Sequence, residues 1–308
     1  MKKQIFIVGF FSLILGAFAQ EQPHYSLYML RPTLINPAAH GSYEMITASM
    51  LFNAQMIGFK GAPLVGAADL GIPIGKTGLV LGMVIGQDKI GAVYKSTIGA
   101  SFAYRIRLHH RHYLSLGFNA TAEMTQGNFT SLVVQDPNDP LIQQYTNTFW
   151  NPNFRLGAYY FTQNAYVSFA VGNIISLRTN QGSFTPTMTA RIEDIHFYLQ
   201  GGWQHRLGQS WKLQPSLLFK KIAGSPMQVD VNLQMLFRDA WGFGFSYRTL
   251  NTLVIQTNYT IKQMLTIGYA FNLGLGFSDR TQFTGHEVML MFRAPKSKIR
   301  IPVEVPRF

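Results

Sequence analysis

The stretch 227–237, Met-Gln-Val-Asp-Val-Asn-Leu-Gln-Met-Leu-Phe, opens the most regular part of the chain, which continues to Phe292. Val229, Val231, Leu233, Met235 and Phe237 alternate with Gln228, Asp230, Asn232 and Gln234, the period-two pattern of a strand with one apolar and one polar face. After Arg238-Asp239-Ala240 the pattern returns: Trp241, Phe243, Phe245 and Tyr247 against Gly242, Gly244, Ser246 and Arg248. Leu253, Ile255, Tyr259 and Ile261 then oppose Gln256, Asn258, Thr260 and Lys262, and Leu265, Ile267, Tyr269 and Phe271 oppose Thr266, Gly268, Ala270 and Asn272. Strands of about ten residues with an aromatic-rich face and a polar or glycine face have the length and pattern of transmembrane β-strands. A soluble sandwich would show strands of about five or six residues packed with Val, Ile and Leu.

Outward from that stretch, the sequence predicts fourteen strands, near 42–52, 64–74, 78–87, 92–107, 112–126, 153–162, 165–175, 194–208, 211–221, 226–237, 240–249, 252–262, 264–273 and 286–293. The fold class is therefore all-β, a transmembrane antiparallel outer-membrane barrel over 42–293. Such barrels have short periplasmic turns and longer outer loops. The connections Gly75-Lys76-Thr77, His109-His110-Arg111, Thr162-Gln163-Asn164, Gly208-Gln209-Ser210, Arg238-Asp239-Ala240 and Lys262-Gln263 are all short. The intervening connections include 53–63, 127–152, 176–193 and 274–285, which are long, and the two classes stay in phase.

The first nineteen residues read as an export signal: Lys2 and Lys3, an apolar core from Ile5 to Leu15, and Ala17-Phe18-Ala19 as the cleavage site. The following arm, 20–41, carries Pro23, Pro32 and Pro37 and is apolar enough to need burial, so it is expected to plug the lumen, with a helical turn around Tyr25 to Leu30. The tail, 294–308, is expected to extend into the periplasm. Phe308 and Phe292 both resemble a terminal assembly signal, and Phe292 ends the last predicted strand.

Charged residues make up 13% of the chain and aromatics 14%, a profile suited to a surface facing lipid outside and water inside. There are 26 basic and 14 acidic residues, so loss of Lys2 and Lys3 lowers the excess from +12 to +10. The basic residues are scattered, without a patch of interleaved stacking aromatics, which argues against nucleic acid. They suit acidic outer-membrane lipid or an acidic polypeptide. The absence of cysteine excludes disulfides and cysteine metal sites. No cofactor is implied.

Candidate chemistry is sparse. His109-His110-Arg111-His112 lacks a nearby carboxylate and reads as a solvated basic turn rather than a metal site. Asp136-Pro137-Asn138-Asp139-Pro140 lacks the glycine and distal glutamate of a calcium loop. Ser246 and His286 have no spacing that supports a hydrolase, and no catalytic residue is expected. Arg105, Arg107, Arg155, Lys212, Lys220, Arg248 and Lys262 fall on or beside polar faces; they either guide a polypeptide or anion through the lumen, or pair with Asp230, Glu123 and the arm backbone.

A set of short motifs carries a resemblance. Gln22-Pro23-His24-Tyr25-Ser26-Leu27-Tyr28-Met29, Pro32, Asn36-Pro37-Ala38 and Gly41 occur in the arm. Gln55, Gly58-Phe59, Gly61-Ala62-Pro63, Asp88-Lys89-Ile90-Gly91 and Gly285-His286-Glu287 follow. In order and spacing they resemble the PorP/SprF family over nearly the whole chain after the leader. Ala39-His40 and Lys60 depart from the family pattern, which bears on fine substrate choice. The resemblance implies a non-enzymatic outer-membrane part of the type IX secretion system of Bacteroidota, which exports large proteins with a C-terminal sorting domain and supports gliding in some members. It implies as partners either a periplasmic ring containing a lipoprotein or an exported surface adhesin; a passive channel for small solutes is the alternative. Tyr25, Tyr28, Met29, Asn36 and Pro37 would then form the plug. Gly58, Phe59, Gly61, Ala62, Pro63, Asp88, Lys89, His286 and Glu287 would contact partners from the outer loops, with His286-Glu287 at the rim.

Overall fold

The computed structural model describes residues 25–127, 148–179, 186–189, 195–222, 225–249, 252–275 and 284–294. The expected leader, the mature start near Gln20, the tail with Phe308, and Asp136-Pro137-Asn138-Asp139-Pro140 lie outside the described residues.

Fourteen wall strands run in chain order: β1 (Ile46–Gln55), β2 (Leu64–Ile74), β3 (Leu79–Ile90), β4 (Val93–His109), β5 (His112–Gly127), β6 (Phe149–Phe161), β7 (Ala165–Gly172), β8 (His196–Trp203 and His205–Leu207, interrupted at Gln204), β9 (Trp211–Ile222), β10 (Gln228–Phe237), β11 (Trp241–Arg248), β12 (Thr252–Ile261), β13 (Leu265–Gly274) and β14 (Thr284–Ala294). Each pairs antiparallel with its sequence neighbours, and β1 pairs with both β2 and β14, which closes the ring. Closure leaves no sheet edge, as lipid requires of a backbone it cannot hydrogen-bond. A small hairpin, Ser176–Thr179 with Pro186–Thr189, stands apart in the connection read from sequence as a loop.

The period-two pattern decides which face meets lipid. Along β10, Gln228, Asp230, Asn232 and Gln234 are buried inside the ring, while Val231 and Leu233 are exposed outside it. Phe245 is 60% exposed and Asp230 is 1% exposed, the inverse of a soluble protein. Two of the short turns have a positive φ at both central residues: Arg238 and Asp239, then Lys262 and Gln263. That is the geometry of the primed turns that match strand twist, and each closes on an N–H to a carbonyl three residues back, Ala240 to Phe237 (3.1 Å) and Met264 to Ile261 (2.9 Å).

The structure corrects several sequence readings. The first strand begins at Ile46 rather than 42, because Pro37–Ser42 forms a 3-10 helix. Asp88 and Lys89 are not loop residues; they continue β3, pairing with Lys95 and Tyr94. His286 and Glu287, read as the start of the last strand and also as a rim feature closing the outer loop, lie within β14, two residues past its start, paired with Ala54 and Asn53 of β1.

Candidate functional site: an arm anchored inside the barrel

Residues 25–42 lie inside the ring, touching wall strands on opposite sides of it. The chain turns over 26–30, where Leu30 N–H donates to Leu27 O (3.0 Å) and Arg31 N–H to Tyr28 O (3.2 Å). Two 3-10 helices follow, Pro32–Leu34 and Pro37–Ser42, each with proline at its start, where a missing N–H costs nothing. Asn36 caps the second: its side-chain oxygen accepts from Ala38 N–H at 2.9 Å. Its amide nitrogen donates to Ser168 Oγ (2.8 Å) and to the carbonyls of Ala158 (3.0 Å) and Phe169 (3.1 Å), so one side chain both starts the helix and fastens it to β6 and β7. The helix fits because Gly117 and Gly157, opposite one another in register, leave the wall bare there. A Cβ on Gly117 would collide with Ala38 and Pro37 backbone, and one on Gly157 with the Asn36 side chain.

Two carboxylates hold the arm. Asp69 of β2 receives Arg31, with Nη2 at 2.6 Å and Nε at 3.0 Å, together with hydroxyl donors from Thr33 (2.9 Å) and Ser49. Arg31 also donates to Thr47 Oγ1 (3.0 Å) and lies 5.0 Å from the Tyr43 ring centre. Glu287 of β14 accepts the backbone N–H groups of Ser26 (2.8 Å) and Leu27 (2.7 Å) and the side chain of Asn53 (3.1 Å). Ser26 Oγ donates to Asn272 (2.6 Å). Buried charges of this kind are tolerable because each is paired or multiply hydrogen-bonded. Between the anchors, Leu27, Tyr28, Met29, Leu30, Leu34 and Ile35 pack on Leu51, Val254, Ala270 and Met289 of the wall.

Of the basic residues singled out in sequence, Arg155, Arg248 and Arg105 each have a partner. Arg155 Nη1 donates to Leu34 O (2.9 Å), Arg248 pairs with Asp230 (2.9 Å), and Arg105 pairs with Glu44 (2.9 Å). The connection with Gly58, Phe59, Gly61, Ala62 and Pro63 is largely exposed, and Gly58 and Gly61 have φ of +102° and +82°, which favours glycine. Gly91 N–H donates to Gly61 O (2.9 Å), which joins this loop to the end of β3 where Asp88 and Lys89 lie. Asp88 faces the interior, whereas the Lys89 ammonium lies over the Tyr94 ring at 5.1 Å. Wall parity separates His286 from Glu287: His286 Nδ1 meets Tyr269 Oη at 2.7 Å on the outer side, while Glu287 is fully buried within. Ser246 faces inward and accepts from Asn232 at 2.8 Å, so it does not converge with His286. Among the described residues no group of three His, Cys, Asp or Glu could hold a metal.

Sequence reasoning missed Arg31, Asp69 and Ser49. The signal was available: Asp69 is a lone acid in the middle of a membrane strand, on the inward parity of Val65 and Ala67. An ionisable residue at that depth is a functional candidate by default.

Above the arm, on the side away from the short turns, lies a cavity of ≈ 160 Å³ with Tyr25, Leu34 and Ile35 in its floor. Its walls carry Asp88, Lys95 and Glu123 from β3–β5, and Arg155, Lys220, Asp230 and Arg248 from β6 and β9–β11.

A closed, lipid-facing ring of fourteen antiparallel strands with a polar interior is an outer-membrane β-barrel. Solved structures similar to it include the toluene transporter TbuX of Ralstonia pickettii (13% identity, TM-score 0.49, 86% of this chain and 92% of that one). The CymD monoaromatic hydrocarbon channel (10%, 0.49, 86% and 91%) and a FadL homologue of Pseudomonas aeruginosa (13%, 0.44, 83% and 91%) are also similar. No curated protein matches the sequence. Residues 17–292 match the family described as "Type IX secretion system membrane protein PorP/SprF", and the chain belongs to that family. It is an outer-membrane component of type IX secretion.

Proposed function

We propose that this barrel works as a sealed, non-enzymatic recognition element of type IX secretion. On this reading the leader is cleaved near Gln20 and the arm plugs the lumen. The outer loops, including 56–63 and the large connections after β5 and β7, engage the C-terminal sorting domain of an exported surface protein, an adhesin or a gliding component. The short turns, the arm's exit near Tyr43 and the tail face the periplasmic ring and its lipoprotein. The observation that carries the reading is the double anchoring of the arm, by Asp69 on β2 and Glu287 on β14, across a lumen that a solute channel would keep open.

The test is a mild-detergent pull-down of a tagged copy from its native outer membrane, with co-purifying proteins identified by mass spectrometry. Recovery of a large sorting-domain protein marks a dedicated carrier or anchor, and recovery of the ring lipoprotein marks core machinery. Recovery of neither, together with steady ion conductance in planar bilayers, would replace this reading with a passive solute channel.

A further inference from the structure

The two walls of the outer cavity differ in charge balance. On the β3–β5 side, Lys95 pairs with Glu123 at 2.8 Å, and Asp88 sits opposite Lys95 in register, so the acids exceed the bases. On the β6 and β9–β11 side, Arg155, Lys220 and Arg248 share the cavity with one carboxylate, Asp230. Both Asp230 oxygens are engaged, Oδ2 by Arg248 Nε at 2.9 Å and Oδ1 by Gln228 Nε2 at 2.8 Å. Arg155 uses Nη1 on Leu34 O, and its buried Nε has no hydrogen-bond partner among the described residues.

Lys220 is the informative residue. It is 5% exposed, faces the cavity, and forms no ion pair or hydrogen bond among the described residues. Removing an ammonium from water without a counter-charge costs several kcal/mol, so natural interiors pair such groups. Lys220 lies beside Asp230 in the sheet, since Lys220 is opposite Gln228 and Asp230 is opposite Leu218, yet each Asp230 oxygen is already engaged by another donor, one of them the Arg248 cation.

We infer that this wall is a binding site for one small oxyanion, of the carboxylate or phosphate type, held by Lys220 and Arg155 beside the fixed Arg248–Asp230 pair. The ligand supplies Lys220 with the paired counter-charge that no described residue gives it, and the Arg155 Nε–H with an acceptor. At roughly 30 Å³ per water in the liquid, the cavity holds such an anion with water to spare. The inference rests on wall geometry and stands apart from the identity of the secretion partner.

The experiment is calorimetric titration of the full chain in detergent at low ionic strength, with inorganic phosphate in one arm and acetate in the other. Saturable one-to-one binding of at least one anion is expected, weakened tenfold or more in Lys220→Met and unchanged in Lys262→Met, a change in an exposed turn. The arm that binds tells phosphate chemistry from carboxylate chemistry. Heat-modified mobility on gels checks that Lys220→Met is folded. On the unaltered protein, the anion that binds should also slow acylation of Lys220 at least tenfold, which is a readout that needs no variant. Absence of saturable binding by both anions, affinity undiminished in a folded Lys220→Met, or acylation of Lys220 unaffected by the anion that binds would each overturn the site.

Discussion

Asp69→Ala removes one half of a buried pair and leaves the other stranded. Arg31, fully buried, would lose its bonds to both carboxylate oxygens, and Thr33 and Ser49 would lose their acceptor. Breaking a buried pair this way costs about 3–5 kcal/mol, because the remaining charge has neither water nor a partner. At about 1.4 kcal/mol per decade, that raises the fraction of arm detached from the β2 wall by between about a hundred- and a few-thousand-fold. The amides of Leu30, Arg31, Leu34 and Ile35 report it directly, since each donates to a carbonyl three residues back only while the arm keeps its turns. Hydrogen exchange followed by mass spectrometry should show these amides accelerated by that factor in Asp69→Ala, with β11 and β12 amides unchanged. Replacing both partners, Arg31→Met with Asp69→Leu, leaves no stranded charge and should restore most of the protection. A change of less than tenfold over 30–35 in Asp69→Ala, or a double variant that exchanges as fast as the single one, would refute the Arg31–Asp69 pair as the arm's anchor.

Other substitutions probe different links. Gly117→Val places side-chain atoms against the backbone of Pro37 and Ala38, which cannot swing aside, so an overpacking cost of about 1–3 kcal/mol or more should appear as earlier protease cleavage near residue 40. Asn36→Ala loses a helix cap worth about 0.5–2 kcal/mol, but Asn36→Asp should be worse in thermal melts, because it keeps the cap and points a carboxylate at the Ala158 and Phe169 carbonyls; a milder aspartate would refute the assigned donor roles. Phe245→Arg, in the middle of a lipid-facing strand, should cost about 2–4 kcal/mol in urea unfolding from vesicles, and Trp241→Arg near the turn about 0–1. Equal costs would place the lipid band elsewhere along β11.

Strands were legible in the sequence because a membrane barrel leaves the backbone no choice: every residue in the span pairs, and parity alone divides lipid from lumen. β2 begins and ends where the alternation of 64–74 says it should, and most other boundaries moved by a few residues. Errors gathered where alternation meets connecting segments. His286 and Glu287 looked like a rim because they precede the apolar run, yet Glu287 continues inward parity with Met289 and Met291. Asp88 and Lys89 were misread in the same way, as polar residues extending β3 past its apolar part. The Arg31–Asp69 pair was not legible as a pair, since nothing local in the sequence links an arm residue to a strand residue 38 positions away. Asp69 alone was legible as an anomaly. The cation excess around Lys220 needed the register of β9, β10 and β11 before it had a location.

The inward parity also bears on whether the arm belongs to the barrel permanently. An open aqueous lumen favours polar inward residues throughout, and β10 supplies them with Gln228, Asp230, Asn232 and Gln234. Leu51, Val254, Ala270 and Met289 break that rule on β1, β12, β13 and β14, and these are the residues that Leu27, Leu30 and their neighbours cover. Withdrawing the arm would therefore wet an apolar strip as well as strand Asp69 and Glu287, on strands that sit at the closure of the ring. Under the proposed function, this makes the arm part of the wall's own interior, and it places recognition on the two ends of a filled barrel. On that reading cargo would meet the outer loops and ring components the short turns, with the anchored arm filling the barrel between them.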